Sequence, residues 1–214
     1  MDYKDEIVKR IQGMTCGQSV YSIFEDWVEM LALSISNSID IMNYREREER
    51  YISIAKKYDK KHLDIMCEMN SLLIEAFEHG MDDVLGYVYM HLEISSSRLG
   101  QFFTPYHICQ LMARMNKPEP DADGILRINE PSCGAGGNII AFAEWVGMNG
   151  MNYQEVMRVV RQDLDYKAVY MCYVQMSLLG IPAKVVQGNT LQNPYVSGYG
   201  SNVYVTPVGV LRGM

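Results

Sequence analysis

No two cysteines in this 214-residue chain are spaced as C-x-x-C, and the five present, Cys16, Cys67, Cys109, Cys133 and Cys172, lie far apart. An odd, scattered set argues against a disulfide framework or a structural zinc site and for free thiols in a reducing compartment, the cytoplasm. The four histidines are equally dispersed. His91-Leu92-Glu93 has the form H-x-E, but no P-C-x-x-C follows it, so zinc-deaminase chemistry is excluded and no metal is expected. Every apolar stretch is broken by charge well short of the roughly 18 residues that a membrane span needs. The charged opening, Met1 to Glu6, has no apolar core behind it, which gives no signal peptide. No internal repeat and no low-complexity tract occurs. Positive charge is scarce too. Nineteen Lys and Arg stand against 26 Asp and Glu, net −7, a poor composition for a generic nucleic-acid binder.

What is present is ordinary for a folded protein: 48% apolar and 21% charged residues, in a length that suits one or two domains. The acidity is one-sided. Residues 1–98 hold 11 basic and 18 acidic residues, while residues 99–214 hold 8 of each. The local exception, Tyr44 to His62, is net +3 and reads as a solvated helix face laced with i,i+4 pairs such as Glu46–Arg50. Phe24, Trp27, Leu31 and Ile35 recur at helical spacing, as do Leu63, Met66, Cys67, Leu73 and Phe77. Gly80 is placed to stop the second of these helices, and Asp82 or Asp83 to cap the next. The 16 methionines fall mostly on such stripes, as flexible core filler. Ser95 to Gly100 breaks the helical pattern. Thr104 then suits a helix cap with Pro105 in the first turn and Ile108, Leu111 and Met112 on the buried side. Asn116 to Asp121 is a linker by composition.

Beyond the linker the period changes. Gly124–Asn129 reads as a strand, Pro131–Gly137 as a glycine-rich turn and Asn138–Met148 as a helix. Val156–Gln162 is a second strand, Tyr166–Leu179 a helix stopped by Gly180-Ile181-Pro182, Ala183–Gln187 a third strand and Asn202–Thr206 a fourth. Strands alternating with helices imply an α/β fold with a parallel sheet and right-handed crossovers. The chain divides into an all-α N-terminal domain, 1–98, and an α/β domain, 99–214.

In such sheets ligands bind at the carboxyl ends of the strands. Three ends are informative. The first strand runs into Asn129-Glu130-Pro131-Ser132-Cys133-Gly134-Ala135-Gly136-Gly137-Asn138, the second ends in Gln162-Asp163-Leu164-Asp165, and the third in Gln187-Gly188-Asn189-Thr190-Leu191. A dinucleotide fingerprint would require glycine where Ile139 stands, and no phosphate-binding G-x-x-x-x-G-K-[ST] occurs anywhere. Glu130, directly before the glycine turn, repels phosphate and welcomes an ammonium group. An acid at the second strand end suits ribose hydroxyls. A ligand with an amine, a ribose and an adenine satisfies all three ends, and S-adenosylmethionine is such a ligand. Asp165 reads as the cap of the following helix.

Four ordered segments, Gly100-Gln101-Phe102-Phe103-Thr104-Pro105, Glu130 to Gly137, Gln162 to Asp165 and Gly188 to Leu191, together resemble the motifs of N6-adenine DNA methyltransferases. The modification (methylase) subunit of type I restriction–modification systems is especially similar. The resemblance covers essentially the whole chain and implies a class I methyltransferase (Rossmann-like) sheet with S-adenosylmethionine as cofactor. It implies that Thr104 meets the methionine carboxylate, with Phe102 and Phe103 walling the pocket, and that Glu130 takes the ammonium. Cys133, Gly134 and Gly136 would let the backbone pass under the ligand, Asp163 would bind the ribose hydroxyls, and Leu164 would pack on the adenine. Asn189 would meet the adenine amino edge, where most of the family has Asp. DNA is implied as a weak partner, and a second copy or another subunit as a stronger one.

The catalytic motif is where the resemblance fails. The family carries [N/D/S]-P-P-[Y/F] after its fourth strand, holding the target amino group and stacking on the flipped base. Here that place is taken by Thr206-Pro207-Val208-Gly209. Thr cannot imitate the amide or carboxylate, and Gly209 lacks the stacking ring. Asn193-Pro194-Tyr195 comes too soon after Leu191, lacks the second proline, and reads as a turn. With the sequence ending at Met214, the sheet is expected to be truncated and to expose an edge or face needing cover. The expectation is a donor-binding protein inactive by itself. A methyltransferase completed by a partner chain, and a non-enzymatic scaffold, stay open.

Overall fold

The computed structural model describes residues 2–93, 103–116 and 118–214. Five helices come first: α1 (Tyr3–Gly13), α2 (Val20–Asn37), α3 (Tyr44–Ala55), α4 (Lys60–Glu78) and α5 (Val84–Glu93). Their starts are legible. Asp2, Ser19 and Asp59 each accept backbone N–H bonds as N-caps of α1, α2 and α4. Phe24, Trp27, Met66 and Leu73 are buried, as their spacing requires. Of the two candidate acids, Asp83 caps α5, its Oδ1 accepting from Gly86 N at 3.0 Å.

Two expectations for the next helix, α6 (Tyr106–Met115), do not hold. Thr104 is not its cap: Pro105 occupies that position and makes no side-chain cap bond. Ile108, Leu111 and Met112 are exposed, while Cys109 and Ala113 are buried. The small residues won because α6 lies close against a following helix, where a Cβ on Gly137 would already sit 3.4 Å from the Cys109 sulfur. The pattern break at Ser95 to Gly100, together with Gln101 and Phe102, lies outside the described residues.

The α/β part runs β1 (Leu126–Glu130), α7 (Gly137–Met148), α8 (Tyr153–Val156), β2 (Met157–Asp163), α9 (Tyr166–Leu178), β3 (Ala183–Gln187), β4 (Val203–Val205) and α10 (Pro207–Leu211). The sheet order is β1-β2-β3-β4. The first three strands are parallel, with Glu130 level with Arg161 and Asp163 level with Gln187. Two right-handed crossovers stepping in one direction place their helices on one face. On that face Met157, Val159 and Arg161 are buried, with Arg161 against Cys172 of α9. On the other face Arg127 and Asn129 are exposed and Arg158, Val160 and Lys184 half-buried.

The fourth strand corrects the expectation of an all-parallel sheet. β4 pairs antiparallel with β3, Lys184 opposite Val205 and Val186 opposite Val203. A parallel return needs a crossover of a dozen or more residues, usually a helix. The segment after β3 forms turns instead, and the chain doubles back through Gln187 N to Asn202 O at 2.9 Å and Asn202 Nδ2 to Gln187 O at 2.8 Å. β1 is left with one paired edge among the described residues.

The N-terminal helices pack on this unit through α2 against α9. The basic segment is less solvated than its composition suggests. Arg45 does pair with Glu49 at i,i+4, but Arg50 bridges to Glu29 of α2 in place of Glu46, and Arg47 is buried. Arg47 Nη2 donates to the carbonyls of Ser201 and Val203, Nη1 donates to Ser36 and Asp40, and the guanidinium lies 4.2 Å from the Tyr204 ring centre. This one side chain ties α2, α3 and β4 together. Arg47→Ala removes the donor from two carbonyls and from Ser36, while Asp40 keeps its bonds from Asn43, and is expected to cost about 2 kcal/mol of stability. Urea unfolding checks it, and a loss below about 1 kcal/mol would show that the clamp is not structural.

Candidate functional site

The carboxyl ends of β1, β2 and β3 converge on the glycine turn that follows β1. Gly134 and Gly136 both adopt left-handed backbone, φ +52° and +106°, a region that side chains strain. Space is also short: a Cβ on Gly134 would come within 2.9 Å of the Phe103 ring, and one on Gly136 within 3.1 Å of Arg161 Nη1. The turn is held from three sides. Asp163, at the end of β2, accepts from Gly134 N through Oδ2 at 2.9 Å and from Asp165 N through Oδ1 at 3.0 Å. Cys133 N donates to Gln162 O, and Gln175 Nε2 of α9 donates to Ala135 O at 2.9 Å. Asp165 caps α9 by accepting from Lys167 N, as its position suggested.

Of the residues singled out by sequence, Phe103, Thr104, Cys133 and Gly134 line one cavity of about 120 Å³, together with Asp83 and Asn138. Glu130 lines an adjoining cleft of about 760 Å³ bounded by α6, β1 and α7, and its Oε2 accepts from Asn138 Nδ2 at 3.3 Å. Asn138 lines both spaces, and its buried Oδ1 has no hydrogen-bond partner. Leu164 is 64% exposed at the end of β2, with its carbonyl accepting from Gln187 Nε2. Asn189 lies at the end of β3. Its Oδ1 accepts from Leu191 N and Gln192 N, which closes a local turn. Phe102 lies outside the described residues.

Thr206-Pro207-Val208-Gly209 is not at this site. Because β4 is antiparallel, the segment emerges beside Ala183, at the amino end of β3. Thr206 is fully buried there. Its Oγ1 accepts from Ala183 N and Gly209 N and donates to Ile181 O, and the segment starts α10. Asn193-Pro194-Tyr195 does not form the expected turn: the turn precedes it, closed by Gln192 N and Asn193 N donating to Asn189 O, and Pro194-Tyr195 run on irregularly. Gln162, which is buried, holds this stretch by donating to Asn193 O and accepting from Tyr195 N.

Charge is concentrated in the buried layer beneath the turn. Burial raises the Asp83 pKa, against the pull of its hydrogen bonds from Gln175 and Gly86. Arg161 Nη1 donates to the Cys172 sulfur at 2.9 Å. Burial works against the Cys172 thiolate, but neighbouring Cys133 and Arg161 outweigh it and hold that pKa below the usual thiol value. Burial and nearby Asp83 push the Cys109 thiol up to about 11. Sequence reasoning missed Asp83, Asn138, Gln162 and Gln175 as parts of the site. Only a helix-cap signal pointed to Asp83; Asn138 and Gln162 stood inside the strand-end segments without a role, and nothing in the spacing pointed to Gln175.

A family model for the N-6 DNA methylases matches residues 79–206, more than half of the chain and the whole span from before α5 to the end of β4. The chain belongs to the N-6 DNA methylase family. Among solved structures, this chain is similar to the type I restriction–modification system methyltransferase subunit from Streptococcus thermophilus, at 12% identity and a TM-score of 0.46, covering 92% of this chain and 59% of that one. It is also similar to a putative class I S-adenosylmethionine-dependent methyltransferase from Listeria monocytogenes, at 10% identity and 0.44, covering 90% and 56%. The chain therefore spans under two thirds of either protein. No curated protein matches it. Among the described residues no helix is long and apolar enough to cross a membrane, and no group of three His, Cys, Asp or Glu could hold a metal.

The methyl donor that the family implies can be tested against the residues present. An acid at the second strand end pinned to a left-handed glycine turn, an orphan amide oxygen on Asn138 and two carboxylates beside adjoining cavities suit a ligand with hydroxyls at one end and positive charge at the other. Those residues fit.

Proposed function

We propose that the chain binds S-adenosylmethionine across the carboxyl ends of β1, β2 and β3 and does not methylate adenine by itself. The observation that carries this reading is Asp163, whose carboxylate reaches from β2 to Gly134 of the glycine turn and so brings the ribose-binding acid and the backbone cradle together. When bound, the cofactor supplies an activated methyl group on a sulfonium. The chain's own residues do the rest: Asp163 orients the ribose, Leu164 covers the adenine, Glu130 and Asn138 hold the ammonium, and Thr104 meets the carboxylate beside Phe103. Gly134, Gly136 and Cys133 keep the backbone low beneath the ligand. Residues 1–98 act as a helical unit that covers α9 and lends Asp83 to the pocket, and residues 99–214 supply the rest of its lining.

Titration calorimetry with S-adenosylmethionine tests the reading. Saturable one-to-one binding is expected, and no heat with a folded protein would leave only a non-enzymatic scaffold. Methyl transfer appearing only after a second subunit is added would favour the partner-completed enzyme.

The open edge of β1 and the exposed Leu111, Met112 and Met115 of α6 beside it support association with a second copy or another subunit. Light scattering on the purified chain is expected to report more than one protomer per particle. A monomer at high concentration would count against self-association.

A further inference from the structure

Asp83 lies outside the strand ends, yet its carboxylate borders the same pocket. The residue is 6% exposed and lines the 120 Å³ cavity with Phe103, Thr104, Gly134 and Asn138. Both of its side-chain hydrogen bonds fall on Oδ1, from Gly86 N at 3.0 Å and from Gln175 Nε2 at 2.8 Å. Gln175 is saturated in turn, with Oε1 accepting from Leu85 N and Nε2 shared with Ala135 O, so the carboxylate is held rigidly. Oδ2 faces the glycine turn: a Cβ on Gly137 would lie 2.9 Å from it, and one on Gly86 would overlap the same carboxylate. Asp83 forms no ion pair among the described residues. A buried carboxylate without a cation either takes up a proton or waits for a charged ligand.

We infer that Asp83 is a second anionic contact for the cationic methionyl end of S-adenosylmethionine, made through Oδ2 and separated from Glu130 by Asn138. The inference rests on the donor-binding reading and adds a contact to it. The groups that face Asp83 are Asp82 on its own segment, Arg161 from β2, and Tyr106 and Cys109 from α6. Arg161 favours the carboxylate, Asp82 disfavours it, and burial dominates. Unliganded Asp83 therefore holds its proton to higher pH than an ordinary aspartate. A cationic ligand prefers the ionised form, so binding expels that proton below the raised pKa. Affinity rises with pH through this window and levels off above it.

Calorimetry with S-adenosylmethionine from about pH 5 to about pH 8, in two buffers of different ionisation enthalpy, tests this. Asp83→Asn keeps an oxygen for Gly86 N and Gln175, so its melting temperature should stay near that of the wild type. Its affinity at the plateau should fall at least about tenfold, and its proton release should vanish. Unchanged affinity and an unchanged pH profile in this variant would overturn the inference and leave Asp83 a helix cap. If the variant does not fold, the wild type decides: binding with no proton release anywhere in the range overturns the contact. Absence of any binding by folded wild type removes the donor-binding reading and this contact together, whereas binding with a silent Asp83 removes the contact alone.

Discussion

Tritiated S-adenosylmethionine at saturation, incubated with the purified chain and unmethylated plasmid, is expected to leave no label on adenine above background. The reason is placement as much as chemistry. A catalyst for this transfer must hold an acceptor oxygen and a stacking ring next to the donor methyl, because only interactions stronger in the transition state raise the rate. Losing even one preorganised group of that kind costs about 10²–10³ in rate. In this chain the corresponding segment lies at the amino end of β3, across the length of the sheet from Glu130 and Asp163. The Thr206 hydroxyl is consumed by Ala183, Gly209 and Ile181, and a Cβ on Gly209 would already sit 3.0 Å from Thr206 Oγ1 and 3.1 Å from Ala183 O. Rebuilding the motif with Thr206→Asn, Val208→Pro and Gly209→Tyr should therefore not create activity, and the added ring should destabilise the α10 junction. Donor-dependent label in adenine from the wild-type chain alone, lost in Asp163→Ala, would overturn this and reinstate the enzyme.

The sequence made some of this architecture legible because the signals were local. Helix periods, the Asp165 cap, the glycine turn and the acid ending β2 depend on neighbours a few residues away, and they fall where spacing puts them. What failed depended on tertiary choice. The face that α6 buries is set by how closely Cys109 and Ala113 let it approach α7, not by which of its residues are most apolar. The direction of β4 is set by a connection that forms turns where a crossover helix was needed, and alternation of polar and apolar residues cannot report direction. That one reversal moves Thr206 away from the site. Arg47, read from composition as part of a solvated face, is buried because Asp40, Tyr204 and the carbonyls of Ser201 and Val203 receive it from other parts of the chain. Asp83 was visible only as a cap, since the cavity beside it is built from residues 20 and more positions away.

Asp163→Ala is expected to lower affinity for S-adenosylmethionine by at least about tenfold. Two hydrogen bonds from ribose hydroxyls to a carboxylate, at about 1.5–3 kcal/mol each, could take the loss to about 10²–10⁴. The structure adds a complication. Both carboxylate oxygens already accept backbone N–H bonds, from Gly134 and Asp165, so alanine also loosens the glycine turn. A weaker variant alone would not separate a lost ribose contact from a displaced cradle. A double-mutant cycle in which the ligand is the second variable does so. Wild-type protein should bind the 2′-deoxyribose analogue of the donor several-fold more weakly than the donor itself, because one charge-assisted bond is missing. In Asp163→Ala that preference should disappear, since nothing remains at the end of β2 to read the hydroxyl. If both ligands weaken in parallel and the preference survives the substitution, Asp163 serves only to pin Gly134, and the ribose is recognised elsewhere.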